Sequence, residues 1–184
     1  ESLLRFGGEL GGNLVWLFLE DLAFANEFSG YSNIKFFKLE IDTIFRNYPL
    51  SEKVFACAQA EEMASSAAQS LVWLNLDCLI FNPPELFVLG KDYDAAFRPV
   101  HIRNIGSLAN EPIDGYWLGV YEEIGVREVP YTFESFVDAQ TIRPYFNTHC
   151  FSINQTLGIM RTWRAYFKSL LLNREFQSNF CQDS

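Results

Sequence analysis

The segment Leu71-Val-Trp-Leu-Asn-Leu-Asp-Cys-Leu-Ile-Phe81 holds the polar groups best placed for chemistry. An apolar run opens it, and Asn75 and Asp77 follow two residues apart. In an extended chain alternate side chains point the same way, so this amide and carboxylate are expected on one face. An acid at the carboxyl end of a buried strand sits where open α/β sheets place their ligands. The same acid would equally turn the chain out of the sheet or cap a helix, and the segment alone leaves both uses open. A second set lies in Arg143-Pro-Tyr-Phe-Asn-Thr-His149, where Asn147 and His149 alternate in phase. A lone strand histidine is by default structural, with general-base chemistry as the sharper alternative. Arg98 and His101, just past an extended run, are placed to face a phosphate, against a default of simple solvation. Asp114 and Trp117 read as a helix cap and a core indole rather than a ligand-facing rim. Arg143 is expected to pair with Asp138.

The elements that must position these groups follow from periodicity. Ser2 to Leu10 reads as a short helix stopped by Gly11 and Gly12. Asn13 to Leu19 is a short apolar run, expected as a strand buried on both faces. Asp21 to Phe28 reads as a brief helix capped by Asp21, and Ile34 to Ile41 as a second strand. Ser51 to Ala68 reads as a helix with Ser51 as its N-cap and an alanine-rich surface able to approach a sheet closely. Strands are expected over Ser70 to Leu76, Tyr93 to Val100 and Tyr145 to Ile153, and helices over Pro112 to Ile124 and Thr156 to Asn173. In the last helix Met160, Trp163, Phe167, Leu170 and Leu171 recur at three- and four-residue steps, which makes one apolar stripe. Strands alternating with helices predict an α/β layered sheet. No repeat, low-complexity tract or linker breaks the chain, so one domain over residues 1–184 is expected.

Composition narrows the function classes. The 184 residues carry 14 Lys and Arg against 23 Asp and Glu, a net charge of −9, with no basic run. Binding to nucleic acid by counterion release calls for a basic stripe, so no nucleic-acid partner is expected. Apolar residues make up 49% and include 18 Phe, enough for a dense core. No apolar stretch reaches the roughly 18 residues of a membrane helix, so no membrane span is expected. Cys57, Cys78, Cys150 and Cys181 form no Cys-x-x-Cys pair, which excludes a zinc ribbon or thioredoxin-like site. They are expected as reduced, half-buried thiols in a cytoplasmic setting, two bridges in a secreted one being the alternative. Gly7-Gly-Glu-Leu-Gly-Gly12 follows a helix and precedes a strand, the reverse of a phosphate-binding loop.

The order Val72-Trp-Leu-Asn-Leu-Asp77, then Pro83-Pro-Glu-Leu-Phe87, then Arg143-Pro-Tyr-Phe-Asn-Thr-His149 resembles the GT-A glycosyltransferases. The resemblance is to their glycogenin-like and lipopolysaccharide galactosyltransferase-like branch, and it spans about residues 50 to 172. In that family an apolar strand delivers an Asp-x-Asp pair, a proline-bounded turn follows, and a later Tyr-Phe-Asn strand lies beside the donor sugar. The resemblance implies a layered α/β/α domain with a mixed, mostly parallel central sheet. It implies a nucleotide-sugar donor, UDP-hexose by analogy, and a hexosyl transfer to an acceptor hydroxyl. It further implies that Asp77 and Asn75 hold Mn²⁺ or Mg²⁺ at the leaving diphosphate, where a dication neutralises developing charge. Asp77 would carry catalysis, and Asn75, Asp77, Arg98, Asn147 and His149 would bind the donor.

Three departures qualify this. Asn75 stands where the family has an aspartate, and a neutral amide draws a hard dication less strongly. No histidine follows His149, where the family places a late metal ligand. The family's first, base-holding strand is not identifiable before Ser2, and the chain stops at Ser184, so a domain incomplete at both ends is expected. The alternative is therefore a catalytically impaired relative that binds a sugar nucleotide or carbohydrate without transferring it. Sugar-nucleotide synthesis, dinucleotide-dependent redox chemistry and Gly-x-Ser-x-Gly hydrolysis lack their motifs here.

Overall fold

The computed structural model describes residues 1–28, 30–64 and 68–180. In chain order these form α1 (Ser2–Phe6), β1 (Val15–Leu19), β2 (Ile34–Lys38), α2 (Ser51–Met63), β3 (Leu71–Leu74) and β4 (Ala95–Pro99). There follow α3 (Gly115–Glu123), β5 (Phe133–Glu134), β6 (Thr141–Ile142), β7 (Phe146–Ile153), α4 (Ile159–Leu172) and α5 (Arg174–Phe180). Short 3-10 turns lie at Gly8–Gly12, Leu22–Phe28, Thr43–Phe45 and Glu85–Phe87. The architecture is mixed α/β. It differs from one mostly parallel central sheet: β1 and β2 pair in parallel, β3, β7 and β4 form a three-stranded sheet in that order, and β5 and β6 pair antiparallel. Pro99 is the last residue of β4, where it brings no N–H to the ladder. No described helix is long and apolar enough to cross a membrane.

The chain divides into two compact units, residues 1–96 with 151–164, and residues 97–150 with 165–184. In the first unit α2 supplies the centre. Val54, Phe55, Ala56, Cys57 and Ala58 are all buried, more than one full turn, so over that stretch the helix is enclosed around its circumference. Phe45 and Phe55 face each other at 5.9 Å, and Phe151 meets Trp163 edge-on at 6.4 Å. The strand β1 is half-buried throughout rather than enclosed on both faces. In the second unit Trp117 contacts Tyr121 and Tyr145, and Phe146 lies between Phe97 and Phe133.

Two helix ends differ from the sequence reading for local reasons. Gly7, not Gly11, ends α1: its N–H bonds Leu3 O, and a Cβ there would collide with that oxygen. At α2 the N-cap is Leu50 in the left-handed conformation, φ 68°, and Ser51 is the first helical residue, its Oγ donating to Phe45 O. That helix stops at Met63 because Ala64 turns extended; residues 65–67 of the expected span lie outside the described residues.

Candidate functional site

In the first unit, β3 ends at Leu74, and the Cys78 N–H donates to Asn75 O at 3.0 Å. Asn75 to Cys78 is thus a tight turn, and the alternation that would place Asn75 and Asp77 on one extended face stops at Leu74. The turn leaves Asp77 exposed and Asn75 half-buried. The Trp73 Nε1–H donates to Asn75 Oδ1 at 2.8 Å. An indole N–H only donates, so this bond fixes the amide with its oxygen toward Trp73 and its Nδ2 group turned away.

Above the same indole stands the Lys53 ammonium, 6.0 Å from the ring centroid. Burial lowers the Lys53 pKa, while Cys57, Asp77 and Cys78 pull it back up. Burial pushes the Cys57 thiol far above its ordinary range, which leaves it neutral and unreactive. Cys57, Cys78 and Cys150 are thiols; Cys181 lies outside the described residues. Lys53 and Trp73 were not singled out as site residues from sequence. The available signal was a lysine one residue ahead of the enclosed stretch Val54 to Ala58, on a helix that packs against β3.

The pair expected to hold Mn²⁺ or Mg²⁺ is not set on one extended face here. The Asn75 oxygen that would ligate the ion is engaged by Trp73. Among the described residues no group of three or more His, Cys, Asp or Glu side chains converges as a metal site. Of the expected pair Asp77 is the one carboxylate, and the neutral Asn75 amide draws a hard dication less strongly.

In the second unit, Asn147 and His149 do share one side of β7. Asn147 Oδ1 accepts the His149 backbone N–H at 2.7 Å and stands 2.6 Å from its Nδ1, a contact that requires the proton on that ring nitrogen. Arg98 and His101 are both exposed, and His101 O accepts the Val137 N–H. The expected Arg143–Asp138 pair does not form. Arg143 donates instead to Ser107 Oγ and to the carbonyls of Leu108, Ala109 and Glu111, clamping one loop. Asp138 accepts from Ser135 Oγ and from the Arg103 N–H, and these two bonds hold its carboxyl below the usual range. Asp114 caps α3 by accepting from the Trp117 N–H at 2.9 Å, as expected, while Trp117 is half-buried rather than in the core and its indole donates to Ile105 O. An open hollow of about 510 Å³ between Ile113, Leu118, Tyr121, Val126 and Arg143 contains none of Arg98, Asn147 and His149.

Comparison of the chain with protein-family models, with curated proteins and with solved structures gave no match.

Proposed function

We propose that the chain is a GT-A-type glycosyltransferase that binds a nucleotide-sugar, UDP-hexose by the motif resemblance, and passes the hexose to an acceptor hydroxyl. The observation that carries this reading is the strand-to-turn unit of β3, which sets an exposed Asp77 just past the strand's carboxyl end with Asn75 and Lys53 nearby. In the reaction the bond from the anomeric carbon to the diphosphate oxygen breaks and a bond to the acceptor oxygen forms. The diphosphate leaves with the electron pair, and the hydroxyl proton is released. Positive charge develops on the anomeric carbon as the leaving bond stretches, and an anionic carboxylate such as Asp77 stabilises it electrostatically.

The test is release of UDP from UDP-hexose, with and without added acceptor sugars, beside thermal-shift titrations with UDP and GDP. The expected result is turnover that falls at least about 100-fold in Asp77→Asn while nucleotide binding persists, the size seen when one electrostatic contact is removed. Binding without turnover would favour the impaired, binding-only relative, which the engaged Asn75 oxygen also fits. Neither binding nor turnover with any nucleotide would overturn the reading.

A further inference from the structure

We propose that the turn after β3 is a metal-independent anion subsite: Trp73 holds Asn75 so that its amide N–H groups, beside the Lys53 ammonium, receive the ligand's diphosphate oxygens directly. The inference rests on the nucleotide-sugar reading for the identity of the ligand, but its chemistry comes from three observations. The first is polarity. With Oδ1 bonded to the Trp73 N–H, Asn75 offers donors outward, and donors recognise phosphate oxygens, not cations. The second is charge. Lys53 brings a formal positive charge to the same indole, 6.0 Å from its centroid, with the Asp77 carboxylate as a nearby counter-charge. The third is the charge count of the motif: Asp77 is its single carboxylate, and the neutral Asn75 draws a hard dication less strongly than an aspartate would.

Trp73 is here a positioning residue, since it acts through the orientation of Asn75. A carboxylate at position 75 would accept the same indole bond yet present a second negative oxygen outward. That single change would turn a donor toward diphosphate into a ligand toward metal. Desolvation of Lys53 adds to the effect, because a charge partly withdrawn from water gains more from an arriving anion.

The experiment titrates the full chain with inorganic pyrophosphate and with UDP by calorimetry, in EDTA and in Mn²⁺, and follows Mn²⁺ alone by its spin-resonance signal. Wild type is expected to bind pyrophosphate and UDP in EDTA, with no gain in affinity when Mn²⁺ replaces EDTA. Lys53→Met and Asn75→Leu should each weaken metal-free binding about tenfold or more, the worth of one charge-assisted hydrogen bond. In Asn75→Asp metal-free binding should fall and Mn²⁺ should restore it. Trp73→Phe keeps the aromatic face but lets the amide turn over, so binding should become responsive to Mn²⁺ while the thermal midpoint stays near wild type. Wild-type binding that requires Mn²⁺, or an Mn²⁺ site lost in Asp77→Asn, would overturn the proposal. So would the absence of pyrophosphate binding in EDTA. Pyrophosphate binding without any transfer from UDP-hexose would leave this subsite intact and overturn only the assigned reaction.

Discussion

Two buried polar residues of the first unit bracket what a single side chain contributes to stability. The side chain of Glu61 is 0% exposed, and its carboxylate accepts from the backbone N–H groups of Met160 and Arg161 and from the Arg161 guanidinium. It therefore caps α4 from another helix, satisfying donors that open every helix without an internal partner. Glu61→Ala would strand two amides away from water, at a cost of about 2 kcal/mol and a fall in melting midpoint of roughly 4–8 °C for a chain of this size. Glu61→Gln keeps an acceptor and should lose about half as much. Ser152 makes the opposite case: it is fully buried on β7, and its Oγ finds no partner among the described residues. Ser152→Ala removes that unpaired hydroxyl at nearly constant volume and should stabilise by about 1 kcal/mol. Thermal unfolding of both variants beside wild type checks the pair, and a stabilised Glu61→Ala or a strongly destabilised Ser152→Ala would contradict this account.

Elements were legible in the sequence wherever periodicity ran long and poorly legible where one backbone angle decided the outcome. The strands β1, β2, β3, β4 and β7 and the helices α2, α3 and α4 all fall within their expected segments. The apolar stripe of α4 is real, since Met160 and Leu171 are buried and Trp163, Phe167 and Leu170 half-buried. Asp21 does cap its turn, accepting from the Ala23 N–H, although that turn is 3-10 in type. What escaped was set by one backbone angle and by long-range partners: Leu50 takes the left-handed cap conformation, so Ser51 is already the first helical residue, and Arg143 is drawn to three carbonyls rather than to Asp138. The site was legible in the identity of Asn75 and Asp77 but not in their geometry, because the turn closed by Cys78 cancels the strand alternation. The start of α2 also yields a prediction. Leu50 holds φ 68° with half its surface exposed, a conformation costing a residue with a Cβ about 1–2 kcal/mol. Leu50→Gly removes that strain at some entropic cost in the unfolded chain, and should stabilise by about 0.5–1 kcal/mol in denaturant unfolding.

At the scale of the whole molecule, the charge balance and the uncovered apolar side chains oppose each other. The net charge is −9 at pH 7 and the isoelectric point lies near 4.7, so copies repel at neutral pH and lose that repulsion as carboxylates protonate. The segment that follows the Asp77 turn is where attraction would then act. Leu76 and Leu86 are 93% and 91% exposed, and Leu79, Phe81 and Val88 are exposed with them. Five uncovered apolar side chains within thirteen residues form a far denser set than the single exposed leucines found on most surfaces. Solubility should therefore pass through a minimum near pH 4.7, and static light scattering should rise steeply as pH falls from 7 toward that value. Leu79→Glu with Leu86→Glu removes two of the five and adds two carboxylates, so at any pH above the minimum the double variant should scatter less. If general charge loss alone drove association, a control pair of new glutamates at exposed polar positions outside the segment, Asn110→Glu with Gln140→Glu, would suppress scattering equally. A larger effect from the leucine pair assigns the association to this apolar segment, and equal effects assign it to net charge.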